Sequence, residues 1–125
     1  MPVTHRRAGD IAVVEAFGRY EVADLRTAIE AAIAPFGPAG AAGLLFDLTR
    51  SDALRHRSAD EVRAMALFIA SRASGFAARL AMVTASDVAY GLMRMGAVAA
   101  ESQGVTARVF RDPAAALAWL TVGTP

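Results

Sequence analysis

The chain predicts an α/β fold: a mostly parallel five-stranded sheet with an antiparallel N-terminal edge strand and four helices. Two observations predict it. Gly43-Leu44-Leu45-Phe46-Asp47-Leu48-Thr49 is a short apolar run entered from glycine and left through polar residues, as a strand buried on both faces would be. Stretches with apolar residues at steps of three and four follow the strand-like runs in regular alternation. Such alternation calls for right-handed crossovers between parallel strands.

Each element has a local reason. Val3-Thr4-His5-Arg6-Arg7 is short and polar, which suits an edge strand guarded by charge. Gly9-Asp10 is turn chemistry, and Ile11 to Phe17 reads as a more buried strand, so the two form a hairpin. Val22, Leu25, Ile29, Ile33 and Phe36 mark one face of a first helix, which Pro35 and Gly37 stop. The glycines between 37 and 43 follow a helix and enter a strand. A phosphate loop has the reverse order.

After the central strand, residues 50–57 form a polar loop. Ser58-Ala59-Asp60-Glu61 is a capping box for a second helix, with Val62, Met65, Ala66 and Ile69 inward, Phe68 beside them and an end near Gly75. Arg79-Leu80-Ala81-Met82-Val83 is the next buried strand, and Ser86 caps a third helix from about Asp87 to Gln103, ended by Gly104. Thr106 to Phe110 is the last strand. Asp112 and Pro113 open a final helix whose inward face is Ala116, Leu117 and Leu120, with Trp119 alongside.

Composition narrows the function. The 125 residues suit one domain, 1–125, and 55% hydrophobic against 20% charged residues makes it globular. The net charge of +1 gives no general pull toward nucleic acid. All 13 basic residues are arginine, so lysine Schiff bases and phosphate-loop lysines are excluded. The absence of cysteine excludes disulfides and thiolate chemistry. Met1 to Asp10 is polar and lacks an apolar core, so no signal peptide is expected. No run reaches the roughly 20 apolar residues of a membrane span. A cytoplasmic protein is the expectation.

The pattern resembles the SpoIIAA-like group of the STAS fold, the anti-sigma factor antagonist domains, in its small single-domain bacterial members. The likeness rests on Leu44 to Thr49, on Arg79 to Val83, and above all on the stretch from Arg108-Val109-Phe110 to Ala118-Trp119-Leu120. The resemblance implies a superhelical sheet and a role in binding partner proteins, or apolar lipids as in the related CRAL-TRIO domains. The Asp-Ser-Ser-Gly run that carries the antagonists' phosphorylated serine is absent here. Asp47-Leu48-Thr49 matches the strand exit, and Ser58 is only a positional counterpart.

Ligands of open parallel sheets bind outside the carboxyl ends of the strands. Those ends deliver Asp47, Thr49, Ser51, Thr84, Ser86 and Arg111, with Ser58 at a helix start after Arg55-His56-Arg57. One use for these residues is structural, capping helices and closing turns. The other is to hold a small anion or a partner's carboxylate through Arg111 and the helix ends. His5 and His56 lack partners at metal-ligand spacing, so no metal is expected. Asp47 has no evident nucleophile or acid to work with, so catalysis is not expected, nor any cofactor.

The third helix carries one charge, Arg94, between Val88 and Ala100. Leu92, Met95, Gly96 and Ala99 are assigned to the sheet. Tyr90, Met93 and Ala97 then face water, with Arg94 at their rim. Covering that stripe calls for a second copy across a two-fold axis, with Met93→Asp yielding a monomer. The chain is therefore expected to be a non-enzymatic, dimeric protein-binding or regulatory domain. The alternative is a carrier of an apolar small molecule, with a pocket lined by Met93 and Tyr90.

Overall fold

The apolar runs of the sequence become five strands in the computed structural model, which describes residues 2–122. The outermost residues of the expected 1–125 domain, Met1 and residues 123–125, lie outside the described residues. β1 (Val3–Ala8) and β2 (Ile11–Phe17) form the expected antiparallel hairpin, turned at Gly9 with φ 59°. β3 (Gly43–Arg50), β4 (Arg79–Val83) and β5 (Thr106–Phe110) follow in parallel, in the sheet order β1-β2-β3-β4-β5. The crossovers run through α1 (Val22–Ile33), α2 (Ala59–Ala70) and α3 (Asp87–Glu101), and α4 (Pro113–Val122) comes last.

Each step across the sheet goes the same way, so the three crossover helices share one face. Leu25, Ile29, Val62, Met65, Ile69 and Met93 pack there against Leu44, Phe46 and Leu48 of β3. The opposite face carries Ile11, Val13, Leu45, Ala81 and Val83, and among the described residues α4 is the one helix that covers it, through Ala116 and Leu120. β3 is therefore buried on both sides, as its unbroken apolar run requires.

The glycine-rich loop has a packing role. A 3-10 turn over Ala34–Ala39 follows α1, and the chain then meets a second 3-10 turn over Ala73–Phe76. The Ala41 amide donates to the Gly75 carbonyl at 2.8 Å, and a Cβ on Gly40 would stand 2.7 Å from the Ser74 carbonyl oxygen. Glycine is there because two backbones touch.

Two expectations are corrected. α2 stops at Ala70 and does not reach Gly75. The Ser71 hydroxyl donates back to the Phe68 carbonyl, and Ala77 and Ala78 adopt left-handed φ values of 56° and 55°, which no helix continues through. The larger correction concerns α3. Met93 (2% exposed) and Ala97 (6%) belong to the core, together with Ala89, Gly96 and Ala100. Leu92, Met95 and Ala99 are half-buried.

The stripe facing the sheet is thus built mostly of small residues with one methionine among them. Small residues let the helix sit close: a Cβ on Gly96 would already be 3.4 Å from Val62 of α2. Val88, Arg94 and Val98 face outward. Met93→Asp is consequently a core substitution. It should cost on the order of 3 kcal/mol or more, because an unpaired carboxylate would be buried. Thermal denaturation should show a large drop in melting temperature, and a variant that melts like the wild type would contradict this placement of α3.

Candidate functional site

The carboxyl ends of β3 and β4 part to leave a cleft of ≈ 400 Å³, lined by Thr49, Arg50, Ser51, Asp52, Ala85, Ser86 and Ala89. Three of the residues singled out from the sequence, Thr49, Ser51 and Ser86, meet there. Asp47 and Thr84 stand just before them on β3 and after β4. Ser58 and Arg111 are not among the lining residues.

Asp47 and the hydroxyl side chains at this edge each have a local task. Asp47 Oδ1 accepts from the Thr49 amide at 2.9 Å and from the Thr49 hydroxyl at 2.7 Å, which closes the strand exit. The Ser51 hydroxyl donates to the Gly18 carbonyl and ties the end of β3 to the end of β2. Thr84 is buried, and its Oγ1 accepts from the Ser86 amide at 3.3 Å. Ser86 in turn caps α3 by accepting from the Ala89 amide at 3.3 Å.

Arg111 is engaged as well. It pairs with Asp87 at 2.8 Å, donates to the Ala85 carbonyl at 3.0 Å, and lies 5.5 Å from the centre of the Tyr90 ring. It clamps the start of α3 to the end of β5. The cleft therefore offers hydroxyls, the exposed Arg50 and the exposed Asp52, rather than a cationic hole. Arg50, Asp52, Ala85 and Ala89 are the lining residues that sequence reasoning missed. Their signal is position alone: they come directly after a strand exit or in the first turn of the next helix.

Ser58 sits away from the cleft. It accepts from the Glu61 amide at 3.1 Å, and its own amide donates to Glu61 Oε1 at 2.9 Å, so the capping box is complete. That backbone hydrogen bond, helped by the Ser58 hydroxyl and the Arg57 charge, holds the Glu61 carboxyl below the usual carboxylate range. Of the two arginines that precede Ser58, Arg57 turns to Glu61 at 3.6 Å; the Arg55 side chain lies outside the described residues. Arg57 also donates to the Tyr20 carbonyl, and its guanidinium lies 5.1 Å from the Tyr20 ring centre.

Tyr20 and Arg57 form a second feature invisible in the sequence. They border a depression of ≈ 200 Å³ with Arg19, Glu21 and His56. Burial pushes the Tyr20 phenol up from 10.0 to about 12, against the pull of Arg57. The folded state holds the neutral phenol.

The oligomer residues scatter. Tyr90, Arg94 and Ala97 border a groove beside β5, whereas Met93 borders an interior void of ≈ 20 Å³. Met93 and Tyr90 do not share a chamber, and that void is far below the roughly 300 Å³ a small-molecule site needs. Among the described residues no group of three His, Asp or Glu side chains comes together to hold a metal ion, and no helix is long and apolar enough to cross a membrane.

Compared with family models, curated proteins and solved structures, the chain finds no match.

Two outcomes follow from these contacts. Ser58→Ala removes the cap acceptor and should lower stability by about 0.5–2 kcal/mol in a denaturant titration. The Tyr20 contribution should be complete below pH 10, where the unfolded phenol is still neutral, and should fade as pH rises through about 12. Tyrosinate absorbance against pH should resolve a late-titrating tyrosine that disappears in Tyr20→Phe.

Proposed function

We propose that this chain is a non-enzymatic protein-binding domain, of the regulatory kind its resemblance implies, and that it pairs with a second copy through the outer faces of α2 and α3. One observation carries the reading. Leu67 of α2 (39% exposed) and Val98 of α3 (63% exposed) stand on either side of a groove of ≈ 470 Å³ completed by Met95 and Ala99. Arg63, Ser102 and Gln103 supply its polar rim.

An apolar centre with a polar rim is how protein interfaces are built. Covering it would recover roughly 25 cal/mol for each Å² of apolar surface removed from water. The half-buried Met95 adapts its shape readily, as methionine does on contact surfaces. By contrast, Asp47, the carboxylate that the sequence offered as a base, stands outside the cleft lining and already holds Thr49. That supports binding over catalysis.

The dimer surface proposed here differs from the stripe first assigned. Val98 replaces Met93 as the residue to test, because it projects outward and its substitution leaves the core intact. Sedimentation at high micromolar concentration should find the wild type as a dimer. Val98→Asp should sediment as a monomer and should melt like wild type diluted to a concentration at which it too is monomeric. A monomeric wild type under those conditions would sink the proposal.

A further inference from the structure

Strand β5 is the last strand of the sheet, and a hydrogen bond at each end shows which of its residues face β4. The Thr106 amide donates to the Ala78 carbonyl at 2.8 Å, and the Phe110 carbonyl accepts from the Thr84 amide at 3.1 Å. Backbone groups alternate in direction along a strand. Thr106, Arg108 and Phe110 therefore face β4, and Ala107 and Val109 direct their N–H and C=O groups outward. Among the described residues β5 pairs with β4 alone. Two donors and two acceptors are in register for a further strand.

The edge lies in a groove. α3 walls it with Tyr90, Arg94 and Glu101, and the space between is ≈ 350 Å³. The Ala107 and Val109 side chains turn toward the α3 face, where they pack on the core. Arg108 alternates to the other face, its guanidinium 5.4 Å from the Phe110 ring centre. Arg94 and Arg108 thus flank the edge from opposite faces of the sheet, and both are exposed.

The side chains of an added strand also alternate between the two faces. The groove lining carries Arg94 and Arg108 against Glu101 alone, so its balance of charge favours an acidic segment. A second copy fits poorly, because two β5 edges paired antiparallel about their centres would set Arg108 against its own counterpart. Edge arginines reject strangers in general, but these two would reject a basic strand and admit an acidic one.

We infer that the β5 edge receives an extended, acidic peptide segment of a partner protein by strand addition. The edge is independent of the α2–α3 groove, although Val98 borders both; a failure of the dimer would leave this site standing.

The test uses a capped hexapeptide of alternating valine and glutamate, added to the full chain at low salt while backbone amide exchange is followed by NMR. The Ala107 and Val109 amides should slow at least about tenfold on addition of this peptide, as newly bonded amides do. The same peptide methylated on alternate backbone nitrogens, on the side that would face β5, should give no protection. A valine–lysine peptide should not bind. The Arg94→Glu/Arg108→Glu double variant, checked for unchanged melting, should bind the glutamate peptide at least about tenfold more weakly. The inference fails if the glutamate peptide leaves both amides unprotected, or if the methylated peptide binds equally well. It also fails if peptide-free Val98→Asp, which lacks the α2–α3 contact, still shows concentration-dependent protection of the same amides, since a second copy would then hold the edge.

Discussion

Burial of β3 on both faces is the constraint from which the other elements take their places. Leu44, Phe46 and Leu48 point to one side and Leu45 to the other. Each such side chain removed from water contributes about 1.5–3 kcal/mol. A strand of this kind must have neighbours on both edges and a layer on both faces. The neighbours are β2 and β4 in parallel register, from Leu44 opposite Ala12 and Leu80 to Asp47 opposite Glu15 and Val83. Asp47 marks where that requirement ends: it is the first residue of the run able to meet the chain's polar exit, and it does so by binding Thr49.

The surface is finished with arginine. Arg26 and Arg72 lie 5.1 and 4.9 Å from the Phe68 ring centre, Arg7 lies 4.4 Å from that of Phe36, and Arg79 lies 4.3 Å from that of Trp119. A guanidinium is flat and weakly hydrated, so it covers a half-buried ring while its edge still reaches an acceptor. Arg72 shows both uses at once, stacked on Phe68 and paired with Glu30 at 3.3 Å. Lysine could not do this as well, which gives the chain's exclusive use of arginine a physical sense.

The parts that sequence made legible are those decided within a few residues. The apolar run of β3, the period change at Val22, the capping box at Ser58 and the Asp112-Pro113 start of α4 each show in place. The inward face of α3 was not legible. Its side chains are apolar nearly all round, so periodicity could not choose a face, and the small residues that fit against the sheet carry little hydrophobic weight. The pairing of Tyr20 with Arg57 was hidden for a different reason: 37 residues separate them, and only the fold brings them together. At the strand ends the sequence named Thr49, Ser51 and Ser86, which do meet, but not that Ser58 would stand apart or that Arg111 would be taken by Asp87 and Ala85.

The unequal covering of the sheet has a consequence for synthesis. Three helices shield one face as the strands are laid down, but Val13, Leu45, Ala81 and Val83 on the other face wait for Ala116 and Leu120. On the ribosome, all five strands leave the exit tunnel before α4 does. For that interval a nascent sheet would present a bare apolar surface, the kind that chaperones bind and aggregates grow from. Docking of a ten-residue helix ends the exposure, so the interval from emergence of β4 to that of α4 is when this chain most needs protection.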